Sequence, residues 1–490
     1  MPSAICSGFY SLINKGLSIG LNIVGLAVLG RLLSPQEFGV FGIIVATEAL
    51  FRPMLDMGLT PAFIKLDSAT RDASNAFFSV NVLLGLIVTL CLVCLSPVLA
   101  YVYDEKQLLY LTLVFALSIM IRSLSRQPVA CLAREKRFDK ILIIEQSALV
   151  AGLFTVTITA WIGFGVWALI LRAIVQGLIL VSVSHLITTN KYTFVGLSVI
   201  KKYKENFRLG CEIVAGRFVG GLNNSIDKLL FGKFFSISLL GHYNRAFRLA
   251  IIPDANIRMA LTTPALAHLA RIDNSNSKQW GNYVLMCNIV MLLAGLPCVV
   301  FIVLGDKLLP WLMGEQWVTG GIFLQLLGVW CLGKILHGLC AIIHINELYT
   351  KRWITINMIS VPVIFLAPIS SYFITGKAFY FILSLSLSNI VFWSIILAWI
   401  LKKYTLTFQV PIQTLRTLTI MTTASLLFLT VKKLFAEDFF QFSSLETVNI
   451  ITSSSVVVLG TVLLQLLLNY GQINDLYKFV RKKTLLRKEI

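Results

Sequence analysis

The chain has 490 residues, of which 57% are hydrophobic and only 13% charged, and its mean hydropathy is +0.82. Soluble globular proteins carry about 25% charged residues. Because a chain this apolar cannot bury its surface in one water-soluble core, these values exclude a soluble enzyme or binding module and predict an all-α polytopic membrane protein.

About 14 transmembrane helices are predicted in chain order. Twelve segments have the roughly 20 apolar residues that a spanning helix needs, and two further segments, near residues 218 and 256, are marginal because each carries several charges. The other spans are centred near residues 22, 44, 90, 116, 152, 176, 292, 330, 364, 390, 422 and 460.

The distribution of basic residues predicts the direction of the chain. With both termini cytoplasmic, 25 of the 42 Lys and Arg residues fall in cytoplasmic loops or the tail, Arg122 and Arg126 among them, and seven fall in outer loops. Basic residues concentrate on the cytoplasmic side of membrane proteins. The net charge of +19 is therefore explained by orientation and by anionic lipid headgroups, and we expect no nucleic-acid partner.

A short joint occurs twice, as GRLLSPQEFGVF at residues 30–41 and GKFFSISLLGHY at residues 232–243, with an offset of 202. The same offset relates Lys15 to Arg217 and Asn22 to Asn224. It also relates two opposite-charge pairs spaced i, i+4, Arg52–Asp56 and Asp254–Arg258. The repeat predicts two pseudo-symmetric six-helix lobes of the same orientation, a parallel duplication used by transporters that alternate access.

The predicted organisation has four parts. Residues 1–190 form an N-lobe of spans 1–6, and residues 200–403 form a C-lobe of spans 7–12. Residues 411–470 add two C-terminal transmembrane helices, and residues 471–490 form a basic cytoplasmic tail.

Charged side chains concentrate in spans 1, 2, 7 and 8, whereas spans 3, 6, 12 and 14 are nearly free of charge. A charge at mid-bilayer is costly and marks a polar cavity, so we expect these four spans to line one. Basic residues suit an anion, because the guanidinium fork matches phosphate oxygens. The candidate substrate-binding residues are Lys15, Arg52, Arg217, Arg245, Arg248 and Arg258. The candidate polar or ion-coupling residues are Asn22, Glu48, Asp56, Glu212, Asn224, Asp227 and Asp254.

Simpler interpretations stay open for several of these residues. Arg245 and Arg248 are also compatible with snorkelling to the outer interface, and the i, i+4 pairs with a structural role. His337 and His344 share one face of span 10 and are compatible with a proton relay or with a satisfied polar face. Cys91 and Cys94 have CxxC spacing inside an apolar run without a second ligand pair, so we predict no metal site and no cofactor.

Four segments carry a resemblance to a known family: LSPQEFGVFG, DMGLTPAFIK, AREKRF, and the stretch from NNSIDKLLFGKFF to LAHLARI at residues 223–272. Over about residues 10–400 the chain resembles bacterial polysaccharide exporters of the Wzx flippase type. The similarity is to the branch that serves colanic or teichuronic acid, within the multidrug/oligosaccharidyl-lipid/polysaccharide exporter superfamily.

The resemblance implies a cationic cavity between two six-helix lobes. It also implies transfer of undecaprenyl-pyrophosphate-linked oligosaccharide across the bacterial inner membrane for surface polysaccharide synthesis. Candidate partners are the lipid-linked substrate, the bilayer, a polymerase with its chain-length machinery, and H⁺ or Na⁺ as coupling ion.

Two other functions are compatible with parts of the sequence. A multidrug or cation antiporter of the same superfamily needs protonatable acids in its cavity, and Glu48 and Glu212 keep that alternative open. A membrane enzyme such as a polymerase or glycosyltransferase would be expected to have a catalytic domain or a long outer loop. We find neither, and we predict that the chain is not an enzyme.

Overall fold

The protein is described here by a computed structural model. It covers residues 4–56, 59–64, 66, 70–188, 192–196, 199, 202–203, 225–258, 277–346 and 350–404. In these ranges every regular element is helical, which confirms the all-α prediction.

The helices follow one another with short connections. The first eight are α1 (Ala4–Leu32), α2 (Pro35–Asp56), α3 (Leu59–Ile64), α4 (Arg71–Val102), α5 (Gln107–Ser123), α6 (Arg126–Arg134), α7 (Phe138–Trp161) and α8 (Val166–Ile187). Residues 225–234 form α9. They are followed by α10 (Ile237–Ala250), a π-helical turn (Pro253–Arg258), α11 (Ser277–Met313), α12 (Val318–Asn346), α13 (Thr350–Thr375) and α14 (Ala378–Tyr404).

Ten helical stretches in this part of the chain are long and apolar enough to cross a membrane. They coincide with ten of the predicted spans, from the span centred near residue 22 to that near residue 390. The spans predicted near residues 218, 422 and 460 lie outside the described residues. The marginal span near residue 256 is described only as far as residue 258. α10 ends at Ala250, and a π-helical turn begins at Pro253, which lacks a backbone N–H.

The chain groups into two compact units. Unit 1 comprises residues 1–244 and 310–317, and unit 2 comprises residues 245–309 and 318–490. In unit 1, α7 packs on α1 and α8, and α5 packs on α4 and α8. In unit 2, α14 packs on α12 and α13. The division into lobes at residues 190 and 200, with two further helices and a tail, stays a prediction.

Both units expose apolar side chains along helix faces. On α4, Leu83, Leu86 and Leu90 are exposed, and on α13 so are Leu366 and Phe373. The spacing of the leucines places them on one face of α4. An exposed apolar stripe of this length is stable against lipid rather than water.

The two copies of the repeated joint contact each other inside unit 1. Gly39 of α2 lies against the backbone of Ile237, and Gly241 of α10 lies against the carbonyl of Pro35. The offset of 202 relates Gly39 to Gly241 and Pro35 to Ile237, so the two contacts are one contact repeated about a pseudo-two-fold axis. A Cβ at either glycine would overlap the facing backbone, which explains why the repeat has glycine at this position.

The same end of unit 1 is held by hydrogen bonds to main-chain carbonyls. Tyr103 donates from its hydroxyl to the carbonyl of Leu229 (3.0 Å), and Lys233 donates to the carbonyl of Val102 (2.8 Å). Burial raises the pKa of Tyr103 to about 12, because the phenolate would lose its hydration. The hydroxyl therefore stays protonated and remains a donor at physiological pH.

Trp317 anchors the short 3₁₀ turn Glu315–Trp317 in unit 1. Its side chain is fully buried, its Nε1–H donates to the carbonyl of Gly30 (2.7 Å), and its ring packs against Phe38 and His242. This contact joins the carboxyl end of α11 to the end of α1, where the first joint begins.

Replacing Trp317 by alanine is expected to lower the free energy of unfolding by roughly 3–5 kcal/mol, because the substitution leaves a large cavity. Thermal unfolding of the purified protein in detergent measures this. Trp311 is a matched control, since its side chain is largely exposed, and Trp311→Ala is expected to leave the midpoint nearly unchanged. Equal loss in the two variants would contradict the assignment.

Candidate functional site

Polar side chains join α1 to α7 within unit 1. Gln146 of α7 donates to the Ser18 hydroxyl (2.8 Å) and to the side-chain oxygen of Asn14, while Asn14 donates to Glu145 (2.7 Å). Two candidate site residues, Lys15 and Asn22, lie on α1. Asn22 donates to the carbonyl of Ser18 in the same helix (2.7 Å), and Lys15 is exposed. The network fixes the helix that presents Lys15.

The main charged pair of α2 is Glu48 with Arg52. The Glu48 carboxylate is buried, Arg52 Nη2 lies 2.7 Å from its Oε2, and Arg52 Nε lies 3.4 Å from its Oε1. The Arg52 side chain as a whole is 56% exposed. Arg52 thus has a carboxylate partner one turn towards the amino end, and its predicted pairing with Asp56 stays a prediction. The Asp56 side chain lies outside the described residues.

Two arginines that the sequence analysis assigned to a cytoplasmic loop belong to the same region. Arg122, near the end of α5, packs its aliphatic part on Gly177. The charge of Glu48 attracts its guanidinium, and the charges of Arg52 and Arg126 repel it. Arg126, at the start of α6, donates to the carbonyl of Leu55 (2.8 Å), in the last turn of α2. Among the side chains described there, three guanidiniums accompany one carboxylate. We call Glu48, Arg52, Arg122 and Arg126 the arginine cluster.

A second ion pair, Asp227 with Lys228, lies in α9. Lys228 Nζ is 3.3 Å from one carboxylate oxygen, and the buried hydroxyl of Tyr243 donates to the other (2.7 Å). Asp227 therefore ties α9 to α10 within the joint, a structural role that the sequence left open.

The two arginines of α10 have different environments. Arg245 is buried, whereas Arg248, three residues further on, is exposed. Burial of Arg245 argues against snorkelling for that residue, since a snorkelling side chain keeps its charged head in water.

Unit 2 contains the predicted pair of Asp254 and Arg258, and the structure confirms it: the carboxylate of Asp254 accepts from Arg258 Nε, with a further contact to Nη2 at 3.3 Å. Both residues lie on the π-helical turn. The guanidinium covers Gly338 of α12, where a Cβ would displace it.

His337, beside Gly338, belongs to a polar contact with α13. Its Nε2 lies 3.0 Å from Asn357 Oδ1, and the Asn357 amide nitrogen donates to the carbonyl of Trp353 (2.9 Å). The Asn357 amide nitrogen is directed to this carbonyl, so the amide oxygen faces His337 and accepts its hydrogen bond. The proton of that bond is therefore on His337 Nε2. The ring also packs on Trp353 and Trp393. His337 therefore has a satisfied packing environment, and the side chain of His344 lies outside the described residues.

Three predicted residues, Glu212, Arg217 and Asn224, also lie outside the described residues. In the part that the structure describes, no three His, Cys, Asp or Glu side chains are grouped closely enough to hold a metal ion. The structure thus brings together Glu48 with Arg52 and Asp254 with Arg258, and it adds Arg122 and Arg126, which sequence position alone had assigned to a loop.

Comparison with known proteins identifies relatives. The family described as "Polysaccharide biosynthesis protein" matches residues 28–320, more than half of the chain. The lipopolysaccharide biosynthesis protein WzxC of Escherichia coli is 24% identical over 328 residues, 65% of each chain. The teichuronic acid biosynthesis protein TuaB of Bacillus subtilis is 23% identical over 63% of this chain and 64% of its own. The chain thus spans just under two thirds of the length of these relatives.

Among solved structures, the lipid II flippase MurJ in an inward closed conformation has a TM-score of 0.65. It is 14% identical in sequence, and the match covers 95% of this chain and 99% of that one. At this identity the similarity establishes the fold, a multi-pass helical membrane protein.

Proposed function

Because the chain belongs to the polysaccharide biosynthesis protein family, we propose that it is a flippase that carries lipid-linked oligosaccharide units across the bacterial inner membrane. In this proposal the protein alternates access between the two faces, and both termini are cytoplasmic. The substrate is a glycan joined to undecaprenyl through pyrophosphate, and the glycan is destined for the cell surface. The activity is transport and changes no covalent bond.

The observation that carries the proposal is the arginine cluster. A pyrophosphate bears several negative oxygens and is bound best by guanidinium groups in bidentate geometry. Arg52 pairs with the buried Glu48, its side chain is more than half exposed, and Arg122 and Arg126 add positive charge nearby. In this proposal the exposed part of the Arg52 side chain contacts the anion.

The antiporter alternative is supported less well by the same residues. A cation antiporter needs a carboxylate that is available to a proton or a cationic drug. The buried carboxylates of Glu48, Asp227 and Asp254 each contact a basic side chain within four residues. The described acids of these helices therefore position basic groups, which favours an anionic substrate.

Deletion of the gene in its host tests the proposed function. Two pools are measured, the surface glycan and the membrane pool of undecaprenyl-pyrophosphate-linked repeat units. We expect surface glycan to be lost and the lipid-linked units to accumulate, because synthesis continues on the inner leaflet while transfer stops. Complementation by the wild-type gene is the control.

Two results would contradict the proposal. Unchanged pools with altered sensitivity to cationic drugs would favour the antiporter. The second contradicting result combines two observations. Lipid-linked units accumulate in the deletion strain, but the purified protein does not flip a lipid-linked oligosaccharide in liposomes. This would place the block at polymerisation.

A further inference from the structure

A cavity of about 650 Å³ lies at one end of unit 1, where the α1–α2, α4–α5 and α7–α8 connections meet. Its volume falls within the roughly 300–1,000 Å³ of ordinary small-ligand sites. The positive-inside distribution predicts that this end faces outwards. The cavity is separate from the arginine cluster, since it includes none of that cluster's four residues.

The lining combines three aromatic rings with acidic and amide groups. The rings are Tyr110, Phe164 and Trp167, each partly exposed, and the polar groups include Glu37, Glu105 and Gln107. Among the described residues that line the cavity there is no Lys or Arg. This composition is the reverse of an anion site, although the protein carries a net charge of +19.

Local backbone structure fixes these groups in place. Gly165, at φ +57°, ends the tight α7–α8 connection and brings Phe164 and Trp167 to the rim. Only glycine adopts this conformation without strain. Glu37 accepts from the backbone N–H of Ser34 (2.6 Å) through Oε2, and its Oε1 lies 2.5 Å from where a Cβ on Gly165 would be. The Glu37 carboxylate therefore reaches the connection that carries Phe164 and Trp167, at the position where Gly165 has no side chain.

We propose that this cavity binds uncharged sugar residues of the glycan that the protein transports. Sugar rings present C–H faces that stack on aromatic side chains, and hydroxyl groups that donate to carboxylates and exchange hydrogen bonds with amides. Aromatic rings alone at this level are also typical of the membrane interface. An interfacial belt does not require acidic or amide groups. This cavity has two carboxylates and an amide in its lining besides the rings.

Charge determines which sugars fit. Uronic acids and pyrophosphate would bring a negative charge close to Glu37 and Glu105, and like charges repel. The cavity therefore selects neutral hexoses and N-acetylhexosamines. This inference deepens the proposed function, on which it rests, by giving the glycan and the pyrophosphate separate sites.

The test measures binding of soluble oligosaccharides to the purified full chain in nanodiscs, by saturation-transfer NMR. The probes are neutral hexose and N-acetylhexosamine tri- and tetrasaccharides, with uronic-acid oligosaccharides for comparison. We expect neutral probes to bind and acidic ones not to. Trp167→Ala is expected to abolish the signal, and Glu105→Gln to weaken binding about tenfold through loss of a charge-assisted hydrogen bond.

Trp161 supplies the matched control, because it ends α7 beside the cavity, is 79% exposed and does not line it. Trp161→Ala is expected to bind as wild type. Equal effects of the two tryptophan substitutions, or no binding of any neutral probe, would overturn the proposal.

A second assay separates this proposal from the proposed function. The same purified protein is reconstituted in liposomes, and flipping of a prenyl-pyrophosphate glycan is measured. Wild-type protein that flips lipid but binds no neutral sugar would contradict the sugar site alone. Protein that binds sugar but flips nothing would contradict the flippase alone.

Discussion

Replacing Arg52 by alanine is expected to abolish glycan export while leaving the amount of protein in the membrane near that of the wild type. The Arg52 side chain is more than half exposed beside the buried Glu48, whereas Arg126 donates to the carbonyl of Leu55. Loss of two charge-assisted hydrogen bonds to pyrophosphate removes about 3 kcal/mol or more, or roughly 100-fold in transport. Lipid-linked oligosaccharide flipping in liposomes measures the effect directly.

Two further variants separate recognition from folding. Arg52→Lys keeps the charge but loses the planar fork, so we expect a partial defect of about tenfold. Arg52→Ala leaves Glu48 buried beside the gap, and adding Glu48→Gln is expected to restore thermal stability but not transport. Arg137→Ala removes an exposed arginine outside the cluster and should have little effect. Normal transport by Arg52→Ala would remove this residue from the substrate site.

Substitution of Gly241 by alanine is expected to reduce transport by at least roughly tenfold. The new Cβ would overlap the carbonyl of Pro35 at the contact between the two joints. Overpacking costs about 1–3 kcal/mol, which shifts a conformational equilibrium by roughly 10- to 100-fold away from the state that contains the contact. Gly39→Ala is expected to have the same effect, because it is the matching position.

Transport assays in liposomes and labelling of a cysteine at position 34 check this prediction. If the joints separate, Ser34→Cys should react faster with a membrane-impermeant maleimide in the Gly241→Ala background than in the parent chain. Gly20→Ala is the matched control, since a Cβ there would meet no atom within 4 Å. Wild-type transport and labelling in Gly241→Ala would show that the contact is not required during the cycle.

Much of the fold is predictable from the sequence because a helix that crosses lipid must be about 20 residues long and mostly apolar. Ten spans follow from length and hydropathy alone, and the described part of the structure has a long apolar helix at each of the ten. The Asp254–Arg258 pair also follows from local spacing, since residues four apart on a helical segment lie near each other.

Other features depend on contacts that local spacing does not determine. Arg52 has acidic residues at both i−4 and i+4, and periodicity favours neither, so its contact with Glu48 could not be predicted from the repeat. Arg122 and Arg126 follow the apolar centre of span 4, and counting them as loop charges concealed their approach to Glu48. The sugar cavity joins residues from three connections far apart in sequence, a proximity that only the packing of α1–α8 creates.

The contact between the joints also shows a position at which the two copies of the repeat differ. Gly42 lies against the side-chain amide of Asn244, and the offset of 202 makes these two positions counterparts, so they meet at the pseudo-two-fold axis. In a homodimer of two half-length chains, the two subunits are identical, so the same residue would face itself across that axis. Two asparagines would collide there, and two glycines would leave a gap. A single chain is free of that constraint, and here Asn244 supplies the side chain while Gly42 leaves the space that receives it.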